Sequence, residues 1–209
     1  MEVERLWAAV DLVRNEGAVL SARQVTYLRT YPALLKMWPR TVEDPLTKFL
    51  QLSTAAYGWM PRVIRMEASQ IDPALESLIV AARATDFASG VCVIEPVAAC
   101  LYSVVGASKV LHFVNPDVYP IWDAKVQRVW GRTDPSQRYM SQPRNYIDYA
   151  EAVHRLCAIG KSYDEFSSAF RSAHRERLTR LRIQQYDIGD IRVVESAAFE
   201  VSGGEYEDD

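Results

Sequence analysis

Long apolar runs, a cysteine framework and a histidine cluster are all missing from this chain, and each absence narrows what it can be. Nowhere in its 209 residues is there the run of ~18–20 apolar positions that a membrane-spanning helix needs. The opening segment MEVERLWAAVDLVRNE carries acids where an export signal would carry bases. The expectation is therefore a soluble, cytoplasmic protein with no membrane partner. Cys92, Cys100 and Cys157 are odd in number and form no CxxC pair, which fits reduced thiols better than a disulfide framework or a zinc site. His112, His154 and His174 are scattered, so no metal site is expected, and no cofactor.

Net basic charge is absent too, at −3 overall, but the charge is unevenly spread. Residues 200–209 hold Glu200, Glu205, Glu207, Asp208 and Asp209 and no base. Set aside, that tail leaves a body with 22 acids against 24 bases. From Lys125 to Arg182 there are twelve Lys/Arg against six Asp/Glu. This divides the chain into one domain over residues 1–199, long enough for two lobes, and an acidic disordered tail over 200–209. The basic stretch is either an anion-binding face or an ordinary solvated helix surface.

What is present is helical. Val3, Leu6, Trp7, Val10 and Val13 form one apolar stripe, closed by Gly17. Ser21 with Gln24 predicts a capping box for a second helix ending at Pro32. Asp44-Pro45, Asp72-Pro73 and Glu95-Pro96 each place a proline at the first position of a helix. Ser162 with Glu165 predicts a further capping box, opening a helix to about Tyr186. After Gly189, Val193, Val194, Phe199 and Val201 read as a strand or hairpin. The predicted class is all-α, with a small C-terminal β segment.

One segment stands apart. PVAACLYSVVGASKVLHFVNPDVYPIWDAKVQRVWG, residues 96–131, reads as a helix to about Val105, a tight turn at Gly106-Ala107, and a helix from Ser108 to about Val114. A proline-bearing loop follows, and Asp123 opens the next helix. Such a turn would free backbone N–H groups around Gly106 and Ser108 for an anion such as a DNA phosphate. Asp123, after Pro120-Ile121-Trp122, is a carboxylate among apolar neighbours. Burial disfavours its charge, and the helix N-terminus favours it.

This segment resembles the helix-hairpin-helix DNA glycosylase superfamily. VGASKVLHF is similar to the second half of the hairpin, and PIWDAKVQRVWG to the stretch holding the superfamily's catalytic aspartate. The resemblance puts Asp123 at that aspartate, and Val126, Arg128 and Val129 at the V-x-R-V after it. Lys109 falls where bifunctional members carry the lysine that attacks the sugar. The departures are equally specific. The usual L-P-G-x-G is reduced to Gly106, Trp122 is inserted before the aspartate, the loop from Lys109 to Asp123 is short, and no iron–sulfur cysteines follow. Together they resemble most the divergent phage proteins that use this scaffold as transferases in thymidine hypermodification, in the host cytoplasm. Those couple an amino acid or amine to an activated 5-(phosphomethyl)uracil base in DNA.

The resemblance implies catalytic Asp123 and Lys109, and DNA or substrate contacts are expected from Gly106, Ser108, Trp122 and Arg128, from His112 three residues after Lys109, and from the aromatic-basic cluster Tyr57, Trp59 and Arg62, suited to stacking on a flipped base. Its implied partners are DNA with a flipped base and a small amine or amino-acid donor. A structural alternative stands beside each residue. Asp123 would be a plain N-cap, Lys109 solvent-facing, His112 a hydrogen-bonded core residue, and the Tyr57–Arg62 cluster core packing. Arg171, Arg175, Arg177, Arg180 and Arg182 would be solvated rather than phosphate-bound. The competing functions are a base-excising glycosylase/lyase, a non-catalytic DNA-binding module and a helical adaptor. Asp123, Lys109 and an aromatic from residues 57–62 lining one cleft would favour an enzyme, and scattering them would favour the other classes.

Overall fold

The computed structural model describes residues 2–15, 20–39, 43–59, 63–131 and 135–203. The chain is mostly helical, with no strand among the described residues. A 3-10 turn at Val3–Leu6 leads into α1 (Trp7–Arg14), followed by α2 (Ala22–Leu34), α3 (Pro45–Gly58) and α4 (Ile71–Ala81). Next come α5 (Phe87–Gly90), α6 (Ile94–Leu101), α7 (Val104–Val114) and α8 (Ala124–Trp130). The last helices are α9 (Gln137–Met140), α10 (Pro143–Cys157), α11 (Lys161–Arg180) and α12 (Asp190–Val201). No described helix is both long and apolar enough to cross a membrane.

Local signals set several boundaries. Ser21 and Gln24 make both hydrogen bonds of the capping box that opens α2, and Asp44 caps α3 with Pro45 behind it. The first stripe is real: Val3, Leu6, Val10 and Val13 are buried, while Trp7 stays 39% exposed. Gly17 lies outside the described residues.

Other expectations need correction. Pro32 sits inside α2 rather than ending it. Lacking an N–H, it forgoes the bond to the Leu28 carbonyl and crowds that turn, and the helix runs only two residues further, to Leu34. The 3-10 turns at Ala68–Gln70 and Val91–Val93 start α4 and α6 early, so Asp72-Pro73 and Glu95-Pro96 fall within their first turns. At α11 the N-cap is Gly160, without a side-chain cap. Ser162 is already helical, and Lys161 pairs with Glu165 instead. The helix ends at Arg180, followed by Arg182 at φ 53.

The predicted C-terminal β segment is helix α12. Ile191, Val194, Ala197 and Ala198 recur at helical spacing and are all buried. That face packs against α1, α8, α10 and α11, and burial there overrides the β preference of Val193-Val194. The tail boundary moves as a result. Glu200 lies inside α12 and pairs with Arg177, and residues 204–209 lie outside the described set.

The hairpin is also shifted. α6 ends at Tyr102, in the left-handed region at φ 49, and Ser103 caps α7 by accepting from Gly106 N–H at 2.9 Å. The turn is thus Tyr102-Ser103, and Gly106 is helical. Its lack of a side chain admits Tyr57, whose hydroxyl lies 2.4 Å from where a Cβ would stand and donates to Leu101 O. The N–H groups of Gly106 and Ala107 are spent on Ser103, so the anion nest expected there is not formed.

Candidate functional site

Asp123 is delivered by a loop with no secondary structure of its own. Residues 118–123 are all buried, so their backbone polar groups need protein partners. Side chains supply them. His154 Nε2–H donates to Val118 O at 2.8 Å, and His112 Nδ1–H to Tyr119 O at 2.8 Å. Tyr146 donates to Pro120 O and Tyr149 to Ile121 O. Ile121 N–H is taken by Glu195, and Trp122 N–H by Ser108 Oγ at 3.1 Å. Asp123 then caps α8, accepting from Val126 N–H at 3.0 Å. The cap reading and the cleft reading therefore hold together.

Asp123 opens into a cleft shared with Lys109 and Trp59. Its other walls come from Gln24 and Tyr27 of α2, from His174 of α11, and from Tyr186 just beyond α11. Helix α12 adds Arg192, Glu195, Phe199 and Glu200. Lys109 is buried rather than solvent-facing, with its ammonium 5.8 Å from the Trp59 ring centre. The Arg192 guanidinium lies 4.4 Å from the Tyr31 ring centre and 5.8 Å from that of Trp59. Two cations thus pack against one aromatic cluster, a favourable placement for partly desolvated charge.

Behind this wall runs a buried network. A carbonyl only accepts, so the bond to Tyr119 O fixes the proton on His112 Nδ1. Its Nε2 is hydrogen-bonded to the Tyr31 hydroxyl at 2.9 Å. Glu195 lies 3.3 Å from His112 Nδ1 and accepts from Arg192 at 3.1 Å through its other oxygen. Burial pushes the Tyr31 phenol far above its usual range, despite opposition from Arg192. The Tyr31 hydroxyl therefore keeps its proton. His174 is held neutral, its pKa lowered to about 4 by burial first and then by Arg177, Arg192 and Arg175.

The cleft gathers some of the expected site residues and not others. Asp123, Lys109 and Trp59 meet there. His112 is a buried core residue that reaches the site through Glu195 and through Tyr31, which packs on Trp59 and Tyr186. Trp122 is core, donating to Gln127 at 3.0 Å and packed on Tyr139 and Tyr146. Ser108 and Tyr57 are spent on internal hydrogen bonds, and Gly106 accommodates Tyr57. Arg128 is on the exposed face of α8. Arg62 lies outside the described residues.

Of the α11 arginines Arg177 is buried, Arg171 half-buried, and Arg175 and Arg180 exposed, yet each has a protein partner. Arg171 pairs with Asp190 at 2.6 Å, Arg177 with Glu200 at 2.6 Å and Arg175 with Asp187 at 3.7 Å. Arg180 donates to Val13 O. They knit the fold rather than form a phosphate-facing row. Sequence reasoning missed Arg192, Glu195, His174 and Tyr186. For the first two, the signal was an arginine and a glutamate three residues apart in a stretch of helical period. No group of three or more His, Cys, Asp or Glu able to hold a metal occurs among the described residues.

Comparison with known proteins adds nothing: no family model, curated protein or solved structure matches this chain.

Proposed function

We propose that the chain is a DNA base-modifying enzyme on a glycosylase-like helical scaffold, transferring an amino acid or amine to an activated 5-(phosphomethyl)uracil base. The observation that carries this is the meeting of Asp123, Lys109 and Trp59 in one cleft, which an adaptor or a non-catalytic DNA-binding module does not require. In the transfer, the amine nitrogen attacks the 5-methylene carbon. The bond from that carbon to the phosphate oxygen breaks, and phosphate leaves with the electron pair. Asp123 takes the proton that the nitrogen sheds as it loses its ammonium charge. Lys109 and Arg192 face the anionic leaving group, and the aromatic wall holds the flat ring.

In transfer the two cations meet the departing phosphate, whereas in excision they would meet a base leaving with the glycosidic electron pair, so analysis of the products decides between the two. The test is mass spectrometry of nucleosides released from 5-(phosphomethyl)uracil DNA after incubation with enzyme and a mixture of amines. A base in which the amine has replaced the phosphate, its mass changed by the amine less phosphoric acid, is expected, with phosphate released. A borohydride-trapped protein–DNA adduct that disappears in Lys109→Ala would overturn transfer and establish the glycosylase/lyase instead.

A further inference from the structure

A folded protein rarely leaves buried polar atoms unpaired, because each costs about 1–3 kcal/mol. Among the described residues, the buried side-chain atoms without a partner are Ser53 Oγ, Trp59 Nε1 and His174 Nε2. Ser53 sits within α3, away from the cleft, whereas Trp59 and His174 both line it. His174 is only 6% exposed, and its ring is fixed edge-on against Tyr186, with centroids 5.2 Å apart. Trp59 is fixed likewise by Tyr27 at 5.1 Å and Phe113 at 5.4 Å. Neither ring can turn to find a partner without losing that packing.

We infer that Trp59 and His174 are the hydrogen-bonding groups that read the ligand, and that the ligand is an oxo-substituted heterocycle carrying a phosphate. The indole N–H only donates, so it requires an acceptor such as a ring carbonyl oxygen. His174 Nε2 of a neutral imidazole donates or accepts according to tautomer, and so suits an oxo or an N–H group of a uracil edge. Lys109 and Arg192, both against the Trp59 ring, are the cations of this cleft that a phosphate on the bound nucleotide would meet. The inference rests on the cleft assigned above and names the class of ring it takes. A base in DNA and a free nucleotide share this chemistry.

The full chain is titrated calorimetrically with dUMP, dAMP and inorganic phosphate, in wild type, Trp59→Phe and His174→Phe. Wild type should bind dUMP roughly tenfold more tightly than dAMP or phosphate, and each variant should lose roughly that factor, the worth of one hydrogen bond. His174→Phe should melt no lower than wild type, because it deletes a polar atom that has no partner. Equal affinity for dUMP and phosphate, unchanged affinity in both variants, or a clear drop in the Tm of His174→Phe would each overturn the inference. Duplex and single-stranded DNA containing 5-(phosphomethyl)uracil are assayed in parallel to separate the two sources. Binding of dUMP with no base converted in either DNA leaves this inference standing and removes the transfer reading. Conversion undiminished in both variants does the reverse.

Discussion

His174 ties stability to pH, and the sign and size follow from its surroundings. Its folded pKa is about 4, against an ordinary value of 6.5, because burial and the charges of Arg177, Arg192 and Arg175 oppose protonation. Between those values the unfolded chain holds a proton that the folded chain does not, so stability rises with pH across the window and falls on acidification. At about 1.4 kcal/mol per pH unit, full protonation of His174 would cost the fold roughly 3 kcal/mol relative to neutral pH, where the group is neutral in both states. By pH 5 roughly 2 kcal/mol of that cost is already felt. Urea unfolding of wild type and His174→Phe at pH 7.5, 6 and 5 isolates the effect, because the residual pH dependence of the variant belongs to all other groups. The exposed carboxylates Asp44, Glu67 and Asp86 are held below their usual range by hydrogen bonds from neighbouring residues. They act chiefly at lower pH, outside this window. Wild type should lose stability more steeply than His174→Phe. Parallel lines for the two proteins would show that His174 is protonated in the fold and would refute the reasoning.

Other substitutions test the remaining parts. Asp123→Asn keeps a capping oxygen for Val126 N–H, so chemical denaturation should show little change, while base conversion should fall on the order of 10²–10⁴-fold. Asp123→Ala should also lose about 1 kcal/mol of stability, and full conversion by Asp123→Asn would discard the mechanism. Gly106→Ala drives a methyl into Tyr57, whose hydroxyl lies 2.4 Å away, and should cost about 1–3 kcal/mol in thermal unfolding. Glu195→Leu leaves Arg192 without its carboxylate and Ile121 N–H without an acceptor. It should lose about 3–5 kcal/mol, read from the urea midpoint. Binding to duplex DNA should weaken steeply between about 50 and 200 mM salt, measured by fluorescence anisotropy.

The parts of the site legible in the sequence are those fixed by near neighbours. Asp123 as a helix N-cap follows from a short polar residue after a proline-bearing segment, and its cap partner is Val126, three residues on. Gly106 misled because its reason is remote. Glycine usually punctuates a turn, but here it admits Tyr57 from α3, 49 positions earlier in the chain. The real turn has no glycine, and Tyr102 takes the left-handed conformation instead. Likewise the α11 arginines look like a basic row until Asp187, Asp190 and Glu200 are folded back onto them. Net charge along a segment carries no information about which charges are neutralised from elsewhere.

The largest omission, α12, shows why half of the site stayed hidden. Its β-branched pair, Val193-Val194, suggested a strand, and only the packing of Ile191, Val194, Ala197 and Ala198 against α1, α8, α10 and α11 decides for helix. Once it is helical, Arg192 and Glu195 fall one turn apart, and both face the cleft. Glu195 then does two things from one carboxylate: one oxygen accepts from Ile121 N–H, and the other from Arg192. The first holds the buried loop two residues before Asp123, and the second holds a cation against Trp59. A loop buried through residues 118–123 has no helical ladder to set its shape, so its geometry is only as definite as the side chains that clamp it. Those clamps come from α7, α10 and α12, which makes the position of Asp123 a property of the whole fold. Sequence can supply the carboxylate and its cap, while the rigidity that chemistry demands arises only when the three helices converge.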